Sequence, residues 1–562
     1  MISPVRLGAD YSTGVSLANH WSCVTDPTLS PNRESPLSGL MFAVWLGLAV
    51  VLGAYLPYLV GMLATPPGMA YIWTLYSPDD QAVYLAALRQ GSEGHWLYQF
   101  QFSPEIIPPR VTYGLYLLAG RLLPMVGGSP LVLFHLLRLG ALVVTVAVVV
   151  WWFRIVYPED EALQRFGIVL TVFGGGLGWL AIYLLPQTQG FNPDLLTPEW
   201  SPWAVFLNTP HFIFSLAVHL GYFAVARRVG QGATWRQTLA GAALGLLLGL
   251  IYPYNIAVVG LVVGMYMLLL AGLARGIPWR QWLQGGVLLL PLVVLLWYFA
   301  VYARQDPNWE QTHVLGNVIP GPNLLGLLVG IGVPGGLAVI GLRAYLRRTG
   351  DWLVPVWAVV HLGCLLLPVP FVGRFALGVL LPVMTLAAAG WGWVVWPQLA
   401  ERATALGYGA LRVQRLVLIA ICVPAALMVT LSQTTQLLNL RTYPFYVSTV
   451  TYAALHWLGD ATDDASLILS DYAFSNHYPE VGSGRVYSGH LYLTVDLADK
   501  QAAVEAFWGW TPTQQADFLT RWGITHVVIT ELFRPLGELN AEWVGARLYN
   551  NGTIEIYKVN LP

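Results

Sequence analysis

The stretch PPRVTYGLYLLAGRLLP, residues 108–124, decides the topology of this chain. It is apolar enough to be weighed as a membrane span, yet it opens on two prolines and carries Arg110 and Arg121. Around it lie eleven apolar runs of spanning length, near 39–63, 130–153, 166–186, 204–226, 237–252, 254–274, 283–303, 322–346, 352–369, 373–397 and 412–433. The 237–252 run is short, and IYPYN (251–255) turns it straight into the next. If 108–124 crosses, every later loop changes side. Cytoplasmic loops carry an excess of Lys and Arg, which settles the parity. With a cytoplasmic N-terminus and 108–124 not crossing, the basic clusters at 154–165, 227–236, 275–280, 343–348 and 402–415 all fall inside. The outer loops between spans then keep only Arg89, Arg110, Arg121 and Arg304. The stretch therefore reads as an interfacial amphipathic helix on the outer face. The loop 64–129 and everything after 434 are expected to be external.

Composition agrees with an integral membrane protein. Of 562 residues, 56% are hydrophobic and 10% charged, against about 25% charged in an ordinary soluble domain. No basic patch with interleaved aromatics points to nucleic acid. The three cysteines, Cys23, Cys364 and Cys422, have neither a pairing framework nor metal-ligand spacing. The polar tail 1–38 has no signal-peptide pattern, and the first apolar run is long enough to remain as an anchor. Three parts follow: a cytoplasmic tail (1–38), a transmembrane domain (39–441) and an external domain (442–562).

The last part differs in texture, with thirteen acids against six Lys/Arg. Strand-like SLILSD (466–471), RVYSGH (485–490) and THVVIT (525–530) alternate with helix-like DLADKQAAVEAFW (496–508) and TPTQQADFLTRWG (511–523). RLYNNGTIEIYKV (547–559) reads as a hairpin turning at Asn551-Gly552, although Asn551-Gly552-Thr553 also fits a glycosylation acceptor. The expected fold is a polytopic α-helical membrane protein of about eleven spans with a C-terminal exported α/β domain.

Ionisable residues inside a bilayer mark function by default. The spans hold no Asp, Glu or Lys, which counts against a proton-coupled transporter. Away from the cytoplasmic ends they hold His135, Arg138, His211, His219, His361 and Arg374. His211 and His219 are eight apart, about 12 Å along a helix, too far for one metal ion. His211 follows Asn208-Thr209-Pro210 at the outer end of its span, whereas His219 sits deeper and reads as a residue bonded within the bundle. Arg374 starts its span on the outer side, where the positive-inside rule disfavours it. It serves either to reach anionic headgroups or to clamp a ligand phosphate. The run FGGGLGWL (173–180) lacks the ending of a phosphate loop, and Gly174 and Gly178 read as close helix packing.

Outside the spans, SPDDQAVYLAALRQG (77–91) places two acids together. Ser77 suits an N-cap, Pro78 the first helical position, and Asp79 and Asp80 the first turn. The same geometry fixes a carboxylate rigidly at the membrane surface, as a general base requires. Arg110, and Glu199 in the aromatic loop GFNPDLLTPEWSPW (190–203), are the further outer charges counted as substrate-binding candidates.

The order of these pieces resembles the GT-C superfamily of polyprenyl-phosphate-sugar-dependent glycosyltransferases, most closely bacterial relatives of the protein-mannosyltransferase type. The resemblance runs through SPDDQAVYLAAL, IIPPRVTYGLYLLAGRLLP, HLLRLGALV, GGGLGW, NTPHF, IYPYN, GRFALGVLLP and RVYSGHLYLTVDLADKQAAVEAFW, and covers the chain from about residue 39. It implies transfer of a sugar from a lipid-phosphate donor to an external glycan, lipid or protein acceptor, usually with inversion. The implied base is Asp79 or Asp80, with Tyr84 as the anchoring tyrosine and the choice open by one residue. Arg374 would hold the donor phosphate, with His211, Tyr252 and Tyr254 near the cavity. No cofactor is required, while a divalent cation, Mg or Mn, is compatible with the superfamily. The bacterial inner membrane is the expected location. A lipid-linked glycan flippase and a non-catalytic envelope assembly protein are the competing readings.

Overall fold

Each apolar run becomes a helix whose start is written in the sequence. The computed structural model describes residues 36–184, 192–274, 276–314, 318–533 and 544–560. The polar tail before residue 36, with Arg6, Cys23 and Arg33, and also Arg275, lie outside the described residues. Helix α1 (Pro36–Leu63) is followed by a short strand β1 (Met69–Tyr71), then α2 (Pro78–Ser92), α3 (Gly114–Gly120) and α4 (Pro130–Val156). The Ser129 side chain accepts a bond from the Val132 N–H, and Pro130 fills the first helical position of α4. Helix α5 (Glu161–Phe173), capped by Asp160, meets α6 (Gly178–Leu184) at a 52° bend. Two short helices, α7 (Pro193–Leu196) and α8 (Pro202–Phe206), lead into α9 (Pro210–Gly230). There follow α10 (Trp235–Ile251), opened by a Thr234/Gln237 capping box, α11 (Asn255–Leu273) and α12 (Trp279–Trp297). The membrane part closes with α13 (Leu324–Thr349), α14 (Leu353–Cys364), α15 (Leu380–Gly390), α16 (Trp396–Ala405) and α17 (Ala410–Asn439).

Among the described residues, eight helices are long and apolar enough to cross a membrane, or nine if the bent α5–α6 pair is one span. The shorter apolar helices α10 and α14 occupy the two remaining positions. All eleven predicted runs thus hold a helix. Helix α15 is buried along its whole length, against α13, where Gly341 and Gly390 let the two backbones touch.

Two expectations need correction. The stretch 108–124 is not one amphipathic helix. Its prolines and the bridge between Tyr98 and Arg110 hold the first part extended, and only seven residues form α3 before a 3₁₀ turn at Leu123–Val126. Seven residues rise about 10 Å, too little to cross a bilayer. The FGGGLGWL run does not sit inside a straight span either. Gly174 is extended and ends α5, and the N–H of Gly178 at the start of α6 is bonded by the Asp194 carboxylate at 2.9 Å. Close packing is nonetheless part of its use, since a Cβ on Gly176 would strike the Val329 and Gly330 carbonyls.

The chain then forms β2 (Tyr446–Ser448), α18 (Thr449–Ala461), β3 (Leu467–Leu469), α19 (Tyr472–Val481), β4 (Arg485–Val486), α20 (Leu497–Phe507), α21 (Pro512–Trp522), β5 (His526–Ile529), β6 (Val544–Asn550) and β7 (Glu555–Val559). The sheet order is β4-β3-β5-β7-β6, parallel among β4, β3 and β5 and antiparallel from β5 onward. The hairpin turns through Gly552 at φ 88°, and the Asn551 side chain accepts the Thr553 and Ile554 N–H groups, so that asparagine is built into the turn.

This C-terminal α/β unit is interlocked with the loop between α1 and α4. Strand β2 pairs antiparallel with β1. The Gln101 side chain donates to the carbonyls of Gly482, Ser483 and Gly484, and the Gln101 backbone carbonyl accepts the Val486 N–H. Arg89 donates to the Pro479 carbonyl, and Lys500 pairs with Glu105 at 2.6 Å.

Candidate active site

Helix α2 begins as the sequence suggests, with one difference. Ser77 holds the N-cap position at φ 44°, in the left-handed region, and makes no side-chain cap. Its hydroxyl instead lies near enough to the Asp80 carboxylate to favour the charged form. A serine in that region is strained by about 1–3 kcal/mol, a cost found mostly at functional sites. The two acids that follow are used differently. Asp79 is held by two hydroxyls of the C-terminal unit, Tyr443 at 2.6 Å and Tyr472 at 2.8 Å. Burial and the Asp79 charge both push those phenols upward, so they stay protonated and donate. Asp80 points the other way, into a cavity of about 660 Å³.

That cavity gathers side chains from far-apart segments. Asp80 and Tyr84 come from α2, Tyr113 and Tyr116 from the α3 region, and His211 from the first turn of α9. Tyr252 and Tyr254 come from the break between α10 and α11, Arg374 from the segment before α15, and His490 and Tyr492 from the C-terminal unit. Tyr84 stacks on Tyr116 with ring centroids 4.8 Å apart, and His211 Nδ1 lies 2.7 Å from the Tyr116 hydroxyl. The close approach of α2 and α3 that permits this stacking needs Gly91 and Gly120. A Cβ on either would collide with the Leu117 or Leu88 carbonyl.

The Asp80 side chain is about a quarter exposed. Burial pushes its carboxyl up, but the His490 N–H facing it, the Arg374 guanidinium and the Ser77 hydroxyl outweigh it and hold the carboxyl below its ordinary value. It is a stable carboxylate at neutral pH.

Arg374 sits in a 3₁₀ turn, Val372–Ala376, at the head of a segment that runs on into α15 and α16. Irregular backbone at membrane depth needs every polar group satisfied. Tyr252, His361 and Asn255 do this for three of its carbonyls. Tyr252 donates to the Arg374 carbonyl at 3.0 Å. Trp357 donates to His361 Nδ1, so the other ring nitrogen carries the proton and donates to the Phe375 carbonyl at 2.6 Å. Asn255, which also meets His219 at 2.9 Å, donates to the Leu377 carbonyl. The guanidinium is aimed by Glu199, whose fully buried carboxylate meets Nη1 at 2.6 Å.

Asp80, Tyr84, His211, Tyr252, Tyr254 and Arg374 thus share one cavity. Glu199 lies behind Arg374, outside the lining. Asp79 faces the C-terminal unit. Arg110 pairs with Asp306 at 3.2 Å, both buried, and ties the first loop to the segment after α12. His490, Tyr492 and Tyr113 also line the cavity and were not singled out from sequence, as do Arg304 and Glu310, which the sequence offered only as external charges. The signal for His490 and Tyr492 was present in RVYSGHLYLTVDLADKQAAVEAFW, but nothing local tells which of its residues leave the sheet.

A divalent cation takes several oxygen or nitrogen ligands at one point. Among the described residues no group of three or more His, Cys, Asp or Glu is placed to hold one. The Asp80–His490 pair is unsuited to start such a site. His490 Nδ1 accepts the Tyr492 and Leu493 N–H groups, which puts the ring proton on the nitrogen facing Asp80 and leaves no lone pair there. Among the described residues the cavity therefore holds no ready-made all-protein site for a divalent cation.

No family model matches the chain, and no curated protein matches it in sequence. Solved structures do match in fold. The archaeal oligosaccharyltransferase AglB from Archaeoglobus fulgidus, in complex with an inhibitory peptide and a dolichol-phosphate, aligns with a TM-score of 0.51 at 12% identity, over 88% of this chain and 70% of AglB. The Archaeoglobus fulgidus oligosaccharyltransferase tethered to an acceptor peptide containing the NVT sequon gives 0.52 at 13%, over 87% and 69%. The arabinofuranosyltransferase AftD from Mycobacteria gives 0.51 at 14%, over 91% of this chain and 40% of AftD. At such identities the likeness is one of fold: this chain shares the GT-C fold of these structures.

Proposed function

We propose that this protein is a glycosyltransferase that moves a sugar from a polyprenyl-phosphate-linked donor to an acceptor hydroxyl, with Asp80 as general base and Arg374 as the phosphate-binding cation. One observation carries the reading: a single cavity holds an ionised carboxylate and a buried-side guanidinium, the two groups this displacement needs. The acceptor oxygen attacks the anomeric carbon and its proton passes to Asp80. The bond from that carbon to the phosphate oxygen breaks on the opposite face, and the lipid phosphate leaves with the bonding pair. One displacement inverts the anomeric configuration. A phosphate leaving group needs charge neutralisation more than protonation, which Arg374 supplies as a preorganised donor. A positioned base contributes about 10²–10⁴-fold.

Two further features support a lipid donor. The cavity lining continues along Ala257, Leu261, Leu296 and Ala300, on or just beyond α11 and α12, where these apolar residues are exposed on the bundle surface. A polyprenyl chain can lie there in the bilayer while its phosphate reaches Arg374. The AglB structure of the same fold holds a dolichol-phosphate. The arginine distribution supports an outer-side position for the cavity and the C-terminal unit, and the resemblance to bacterial relatives supports the inner membrane as the location. The acceptor is an external glycan, lipid or protein.

Gene deletion followed by mass spectrometry of lipid-linked sugars and envelope glycans tests the reaction class. One lipid-linked sugar should accumulate and one glycosylated product should vanish. Unchanged profiles of both contradict the reading.

A further inference from the structure

We propose that His490, carried by the C-terminal unit, is a positioning residue for Asp80, and that this unit is therefore part of the reaction centre. The inference rests on the reading of Asp80 as the base.

The ring is locked from three sides. Its Nδ1 accepts the Tyr492 N–H at 3.1 Å and the Leu493 N–H at 3.2 Å. The Thr494 hydroxyl accepts the Gly489 and His490 N–H groups and itself donates to the Phe102 carbonyl at 2.7 Å. The Phe102 ring packs edge-on, with centroids 5.3 Å apart. With Nδ1 committed as an acceptor, the ring is neutral and its proton sits on Nε2. That nitrogen is buried, has no hydrogen-bond partner of good geometry, and faces Asp80 Oδ1 at 3.4 Å. Such contacts are often long in a free enzyme and tighten when the reacting complex forms. A neutral N–H suits the task. It orients one carboxylate oxygen and leaves the second to take the acceptor proton, without placing a full positive charge beside the base.

The neighbouring acid explains how a histidine more than 400 residues away is brought there. Asp79 holds Tyr443 and Tyr472, so α2 grips the C-terminal unit with one carboxylate while the next meets His490. The pair of acids is a division of labour: Asp79 docks the unit, Asp80 works with what the docking delivers.

Other groups also face Asp80. Tyr84 lies on its own helix, Tyr113 and Tyr116 on the α3 side, and His211 and Tyr254 on α9 and the α10–α11 break. Arg374 faces it from the membrane part, and Tyr472 and Tyr492 from the C-terminal unit. A test must change His490 alone and read Asp80 directly.

Infrared difference spectroscopy of the full-length protein in lipid nanodiscs, titrated with acid, does so, with D80N identifying the Asp80 carboxyl band. His490→Asn keeps an acceptor for the Tyr492 and Leu493 N–H groups but is too short to reach Asp80. His490→Gln restores an N–H of suitable reach. In H490N the Asp80 midpoint should rise by about one pH unit, a tenfold change in proton affinity, and H490Q should recover at least half of it. A wild-type midpoint in H490N overturns the inference, as does an equal shift in both variants, which would mark a purely structural histidine. Sugar transfer separates the two claims. Lost transfer in D80N with an unmoved midpoint in H490N removes His490 and leaves the base in place. Full transfer in D80N removes the base, and the reaction-centre role of His490 with it.

Discussion

Asp80 can act as a base only while ionised, and its surroundings decide over what range that holds. Burial alone would raise its carboxyl; His490, Arg374 and Ser77 together bring it below the ordinary value. The sign follows directly. A depressed value keeps the carboxylate at all pH above it, and the base is lost only as pH falls through it. The acid limb of the transfer rate should therefore lie below the ordinary aspartate value of about 3.9. A pH–rate profile on the purified protein with a limb near neutrality contradicts this. Arg374 offers a second test at the same scale. Arg374→Met leaves the Glu199 carboxylate buried without its partner cation, a change that typically destabilises by about 3–5 kcal/mol. Adding Glu199→Gln should recover most of the thermal stability and none of the transfer. Recovery of transfer in the double variant would mean that the guanidinium is only structural. From sequence the acids could be narrowed to two and no further. The choice turns on Tyr443 and Tyr472, which lie 364 and 393 positions beyond Asp79 and leave no local trace.

At the level of elements, the sequence spoke most clearly where periodicity and caps are local. The apolar runs, the prolines at helix starts and the strand-like stretches of the C-terminal unit were all legible, because each is set by neighbours within a few residues. The broken elements were not. FGGGLGWL looked like packing glycines in a straight span, yet Asp194, sixteen residues on, caps a second helix across the bend. His219 was legible as a bundle residue and His361 only as a polar residue within a span, and the use of both was hidden. His361 bonds the Phe375 carbonyl of the irregular segment that presents Arg374, and His219 meets Asn255, which bonds the Leu377 carbonyl. His361→Phe keeps the ring volume roughly and leaves both the Phe375 carbonyl and the Trp357 N–H unpaired. It should cost about 1–3 kcal/mol and weaken donor binding by loosening Arg374, while H361Q should retain more of both. Thermal melts together with KM for the lipid donor check this. A melt lowered with KM unchanged would show that the turn does not depend on the histidine.

As a whole molecule, the protein closes its cavity with two parts that a linear reading separates. The membrane helices, the first loop and the C-terminal unit meet at α2, and every group assigned to the displacement lies around that junction. The fold class was readable because composition and arginine distribution act over the whole chain. The junction was not, since Gln101, Arg89 and Asp79 reach partners more than 360 residues away. The claim that one of two adjacent acids performs the chemistry while the other docks a domain is the centre of the account. The most direct measurement is single-turnover transfer by purified, full-length D80N and D79N in liposomes, using the lipid-linked sugar that accumulates in the deletion strain. The account predicts that D80N loses transfer by at least about 100-fold with an unchanged melt, while D79N melts earlier and retains far more transfer than D80N. Wild-type transfer by D80N would contradict it.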